Sequence, residues 1–148
     1  MRYAARGHTA VRHNASTLVW VFILGVIGAA APYGQGAVGS DQFLGTWSGT
    51  WDGAGSSGGF ELTIERSKDG ALAGKVSVTG EPSYEATLTQ IAVDGMKMTA
   101  RYDFTPQPGG EVLLAATFGG GSASGTWTLR EKAGGTEYLS GNWNVKKK

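Results

Sequence analysis

Phe43-Leu-Gly-Thr-Trp-Ser-Gly-Thr-Trp51 alternates without a break. Taken two residues at a time, it puts Phe43, Gly45, Trp47, Gly49 and Trp51 on one side, and Leu44, Thr46, Ser48 and Thr50 on the other. A period of two belongs to a β-strand, here with one bulky face and one mostly hydroxylated face. The glycines between the aromatics leave room for a neighbouring side chain, or let another backbone come close. The Gly-x-Trp unit returns at Gly125-Thr126-Trp127 and Gly141-Asn142-Trp143. The same unit in the first strand and the last two is expected if a sheet curls until its ends meet.

Downstream, short β-type runs alternate with turn sequences at the close spacing of sandwiches and barrels. Residues 52–59 read as a flexible glycine-rich loop. Strand two is expected over 60–67, with Phe60, Leu62 and Ile64 inward, and strand three over 71–79, after the turn Lys68-Asp69-Gly70. Strand four, 84–93, favours Tyr84, Ala86 and Leu88 and then Ile91 and Val93, a change of parity that predicts a bulge or burial on both faces. Asp94-Gly95 turns into strand five, with Met96, Met98, Ala100, Tyr102 and Phe104 inward. Residues 105–110 form a loop, since proline cannot donate to a ladder. Strand six, 111–118, is apolar on both faces, with Val112, Leu114 and Phe118 inward and Leu113 and Ala115 outward. Strands seven, 124–132, and eight, 137–146, carry Gly125, Trp127 and Leu129, and Leu139, Gly141, Trp143 and Val145. No stretch after residue 40 shows a helical stripe. The expected fold is all-β: an eight-stranded antiparallel up-and-down meander barrel, whose closure removes both sheet edges. Each indole at its seam can bury about 150–250 Å², at most roughly 4–6 kcal/mol.

Upstream, the character changes. Residues 1–14 contain Arg2, Arg6 and Arg12 and no acid, and 15–40 carry no charge, with a 14-residue apolar run at 18–31. A basic start followed by a run shorter than the ~20 residues of a spanning helix fits a secretory signal. Gly34-Gln35-Gly36 before Ala37 is the better processing junction, Ala31 being followed by Pro32. The expected organisation is a signal peptide or uncleaved anchor over 1–36, a linker over 37–41 and the barrel over 42–148, with a hydrophobic leader helix ahead of the sheet. The domain is then exported, periplasmic or extracellular, and membrane-tethered through 15–38 only if the leader is retained. With no cysteine in the chain, a lipid anchor on Cys, disulfides and thiolate metal sites are excluded.

Without the three leader arginines, the 13 Lys/Arg fall to ten against 12 Asp/Glu, a net charge of −2. That gives no support to nucleic-acid binding. His8 and His13 both precede the apolar run, so the barrel has no histidine for a nucleophile triad, a metal or a haem. Glu61 and Glu65 share the face assigned to water and lack the cleft needed to split their pKa values. Asp52, Asp69 and Asp94 each precede glycine and are explained by turn chemistry rather than by a calcium cluster. No Gly-Lys-Ser/Thr loop leads into a helix, so phosphate cradling is not indicated. The three terminal lysines read as a solvated tail. No catalytic group, metal or cofactor is expected.

Leu44-Gly-Thr-Trp47 opening an up-and-down barrel resembles the first strand of the calycins, the group of lipocalins, fatty-acid-binding proteins and avidins. From Leu44 to Val76 the chain is most similar to avidins: Gly-Thr-Trp, a Gly55-Ser56 loop, then Asp69-Gly-Ala-Leu-Ala-Gly74 as the second hairpin. The resemblance covers about a third of the domain. Where avidins place an Asn shortly after the first Trp, this chain has Gly49. Where they hold the biotin ureido group with Tyr and Ser in the third strand, it has Val76 and Val78. The resemblance therefore implies the barrel without biotin binding.

Two readings of the aromatics stand side by side. Trp47, Trp51, Trp127 and Trp143, with Tyr84 and Tyr102, line a pocket for a small, largely apolar ligand, or they fill the barrel as core. Under the first, the domain is a non-catalytic, lipocalin-like binding protein entered past Trp51 and the loops 52–59 and 105–110. Under the second, it is a sealed structural or interaction barrel, an accessory subunit of an envelope or membrane complex. Its protein partner would dock on strand 111–118 through Leu113 and Ala115, provided these form a contiguous apolar patch.

Overall fold

Burial alternates along much of the chain after residue 44, most plainly over Leu72–Val78 and Lys97–Asp103 and in the second halves of Gly110–Gly119 and Glu137–Lys147. The structure, a computed structural model, describes residues 39–148; the leader, its expected helix and residues 37 and 38 of the linker lie outside the described residues. A short 3-10 turn, Asp41–Phe43, leads into eight strands. These are β1 (Gly45–Gly53), β2 (Ser56–Arg66), β3 (Leu72–Val78), β4 (Tyr84–Asp94), β5 (Lys97–Asp103), β6 (Gly110–Gly119), β7 (Ser122–Glu131) and β8 (Glu137–Lys147). Each pairs antiparallel with the next, and β1 also pairs with β8, so the meander closes into a barrel without free edges.

The seam is built from the repeated unit. Across β1 and β8, Trp51 faces Trp143, Gly49 faces Val145 and Gly53 faces Gly141. Across β7 and β8, Trp127 faces Gly141 and Trp143 faces Gly125. The glycines are there because the backbones come close. A Cβ at Gly49 would stand 1.9 Å from the Asn144 carbonyl oxygen. One at Gly141 would stand 1.9 Å from the Asp52 carbonyl oxygen and 2.6 Å from the Trp127 indole nitrogen. Such glycine positions let a barrel strand bend tightly while an aromatic ring covers the gap.

The predicted parity change in β4 is a register shift between Leu88 and Gln90. A second shift, between Leu129 and Arg130 in β7, has no signal in the sequence. Several expectations need correction. The loop expected over 52–59 is only a two-residue turn, Ala54-Gly55, with Gly53 paired to Ser56. Both turn residues have positive φ, 52° and 79°, as a twist-matched I′ hairpin requires. Met96, expected inward, sits in the β4–β5 turn and is 49% exposed. Leu139 keeps its inward parity but is 46% exposed, because it stands at an open rim.

The two ends of the barrel differ. One end carries the turns after β2, β4 and β6 and both termini of the described chain. Here the 3-10 turn drops Phe43 into the lumen, fully buried, edge-on to Phe118 at 4.8 Å. Trp47 packs on the same Phe118 ring at 4.8 Å, and Lys147 Nζ lies 5.5 Å from the Trp47 ring centroid. Arg66 ties the turn down: its Nη2 donates to Asp41 Oδ1 (2.6 Å) and Ser40 Oγ (2.7 Å), and its Nη1 to the Gly70 carbonyl (2.9 Å). Gln42 Nε2 adds a bond to the Gly95 carbonyl (2.8 Å) across the same end. Leu62, Ile64, Val76, Met98, Leu114 and Val145 complete a filled lower lumen.

Candidate functional site

The other end, where β1–β2, β3–β4, β5–β6 and β7–β8 turn, leaves a cup of about 200 Å³. Its walls are Trp51, Phe60, Val78, Tyr84, Tyr102, Phe104, Val112, Trp127 and Leu129, and its rim is Gly53, Ala54, Ser56, Glu81, Pro82 and Leu139. Strand parity places every wall residue except Phe104, which follows directly after β5. Tyr84 lies opposite Val78, and Tyr102 opposite Val112 and Leu88, all with inward-facing side chains.

The indoles are held in place by their polar edges. Trp51 Nε1 donates to the Thr79 carbonyl (3.0 Å) and Trp127 Nε1 to the Asp52 carbonyl (2.9 Å). The two rings meet edge to face at 5.8 Å. With their N–H groups occupied, both tryptophans present apolar surface to the cup. The bond from Trp51 also fixes the start of the β3–β4 turn, Gly80-Glu-Pro-Ser83, where the Ser83 hydroxyl donates back to the Gly80 carbonyl (2.8 Å).

Two hydroxyls interrupt the apolar wall. Tyr84 Oη and Tyr102 Oη lie 3.0 Å apart, each the other's hydrogen-bond partner. Tyr84 also packs edge-on against Phe104 at 5.2 Å. Burial raises the Tyr84 pKa, partly offset by the bond from Tyr102. Burial pushes Tyr102 well above the ordinary 10.0, reinforced by the Tyr84 charge and by the shared bond. Both phenols are therefore protonated at neutral pH. Glu81, at the rim and exposed, is the one charged residue of the lining among the described residues.

Of the six residues expected to contact a ligand, Trp51, Tyr84, Tyr102 and Trp127 line the cup. Trp47 and Trp143 do not. Trp47 belongs to the closed end, with its indole N–H on the Phe43 carbonyl (2.9 Å). Trp143 is buried against Phe60 at 5.1 Å, with its N–H on the Thr126 carbonyl (3.0 Å). The mouth is also placed differently from the expectation. Gly53, Ala54 and Ser56 contribute, but 105–110 do not, and the β3–β4 turn with Glu81 and Pro82 takes their place. Phe60, Val78, Val112, Leu129 and Leu139 are further lining residues. Their inward parity was readable, but not how far along the lumen each would stand.

Among the described residues, no three His, Cys, Asp or Glu side chains gather to hold a metal. Glu61 is paired with Lys148 on the outer surface. No family model matches the chain, and no curated protein matches it either.

Proposed function

We propose that this is an exported, non-catalytic binding protein of calycin type, whose barrel takes a small, largely apolar ligand into the cup. The observation that carries this is the asymmetry of the lumen: packed shut by Phe43, Trp47 and Phe118 at one end, hollow and aromatic-walled at the other. A cup of about 200 Å³ is smaller than the ~300–1,000 Å³ of drug-sized sites. It exceeds the ~150 Å³ of an engineered apolar cavity that holds benzene. The occupant is thus a single ring or a short branched chain, with Trp51 and Trp127 against it. Export rests on the basic, then apolar, leader sequence, which also permits a tether through 15–38.

Titrating the purified protein with small flat aromatics and short acyl compounds, while following tryptophan emission, tests the proposal. Saturable quenching that Trp51→Phe reduces is expected. An unchanged spectrum across the whole panel overturns it.

The sealed, partner-bound barrel is less favoured. On the outer face of β6, half-buried Leu113 lies between Arg101 and Thr128, and Ala115 between Thr99 and Thr126. Polar neighbours on both sides break up the strip that a docking strand needs.

A further inference from the structure

The walls of the cup have one place where hydrogen-bonding capacity is left over. The indole N–H groups of Trp51 and Trp127 are taken by backbone carbonyls. Phe60, Val78, Phe104, Val112 and Leu129 have no polar side-chain atoms. That leaves Tyr84 and Tyr102, whose hydroxyls are 3.0 Å apart and have no other hydrogen-bond partner among the described residues. Two phenols carry two protons, and the bond between them uses one. Whichever hydroxyl donates, one phenolic proton remains, on a side chain that lines the cup.

Charge narrows the choice of ligand. None of the lining residues is Lys, Arg or His, and the single charge, Glu81, is negative and stands at the rim. A carboxylate in the cup would lose its water and find no cation, which is costly. It would also enter past a like charge. A neutral oxygen acceptor meets neither penalty and takes up the spare proton.

We propose that the Tyr84–Tyr102 hydroxyl pair is a polar anchor that selects small neutral ligands carrying one oxygen acceptor, a carbonyl or ether, on an apolar skeleton. The skeleton has about ten non-hydrogen atoms, on the scale of cavities that hold one aromatic ring. The anchor rests on the ligand-binding cup proposed above, and it specifies the head group that the cup recognises.

Four compounds of one shape test it: cumene, acetophenone, benzoate and α-methylbenzylamine. They are titrated into the purified protein and into the double variant Tyr84→Phe/Tyr102→Phe, which keeps both rings. A single substitution would leave the other phenol with a proton to give, so both hydroxyls are removed. The expected result is a loss of acetophenone affinity of roughly threefold to tenfold in the variant, the size of one net hydrogen bond. Cumene should stay within about twofold, since it makes no such bond, and benzoate should bind the wild type most weakly. Equal changes for acetophenone and cumene overturn the anchor and leave the cup standing. Benzoate binding as well as acetophenone also overturns it. So does α-methylbenzylamine binding tightest and losing its advantage in Glu81→Gln, which would place selection at the rim carboxylate. If none of the four binds the wild type, the cup itself fails as a site and the anchor fails with it. A measurement without variants runs in parallel: the infrared carbonyl stretch of bound acetophenone should fall below its value in hexane. An unshifted stretch overturns the anchor.

Discussion

Trp51 serves the fold and the cavity at once: its N–H holds the Thr79 carbonyl while its ring forms the wall. All four barrel tryptophans have the same division, with a polar edge on a backbone carbonyl and an apolar face turned to the lumen. The facing glycines make this fit. Gly141→Ala would push a Cβ into the Asp52 carbonyl and the Trp127 indole. It should cost about 3 kcal/mol or more, the upper range for overpacking, because the obstruction is backbone that cannot swing away. Urea denaturation measures this, and a loss under about 1 kcal/mol would contradict the contact. Ala54 is the opposite case. It holds a left-handed φ of 52° in the β1–β2 turn, a conformation unfavourable for a side chain with a Cβ. Ala54→Asn creates the Asn-Gly pair this turn prefers and should raise stability by about 0.5–1 kcal/mol in the same assay. The Gly-x-Trp spacing was legible, because period-two alternation is local. Which tryptophans would face the cavity was not: Trp47 and Trp51 share a face and differ only in their height along the lumen.

Among the elements, the 3-10 turn Asp41–Phe43 decides which end of the barrel is shut. It has two kinds of hold, the Phe43 ring inside and the Arg66–Asp41 ion pair outside. The ion pair is largely solvated, Asp41 being 60% exposed, so its Coulomb attraction is weak. Arg66→Ala should therefore cost about 1 kcal/mol, and Phe43→Ala about 3–5 kcal/mol. Chemical denaturation of the two variants gives the order directly, and a larger loss for Arg66→Ala would show that the outer clasp dominates. The β4 bulge could be foreseen from the switch between Leu88 and Ile91. The short β1–β2 hairpin could not. Ser56 to Gly59 have poor strand propensity, and they are strand because Gly53, Asp52, Trp51 and Thr50 lie opposite and pair with them.

For the whole molecule, the buried phenol pair links stability to pH. In the unfolded chain both tyrosines ionise near 10.0, and in the barrel both hold their protons to higher pH. Between those values the unfolded state binds fewer protons, so stability must fall as pH rises past 10. Below 10 both states are protonated and the pair adds no pH dependence. Removing both hydroxyls should flatten that alkaline decline. The check is to compare denaturation midpoints at pH 8 and in the alkaline range above 10, for the wild type and for Tyr84→Phe/Tyr102→Phe. An identical decline in both would assign it to other groups.

The all-β class, the eight strands, the antiparallel meander and the meeting of its ends were legible in the order of the amino acids. Each of these follows from local alternation, turn chemistry and one repeated unit. Tertiary structure alone decided that the lumen is filled below and hollow above. A cavity is the difference between the space enclosed by eight strands and the side chains that reach it from all of them. No stretch of chain contains that sum. The same holds for the mouth, where Glu81 and Pro82 replaced the expected 105–110 loop, and for the Tyr84–Tyr102 pair, 18 residues apart and joined only across the sheet.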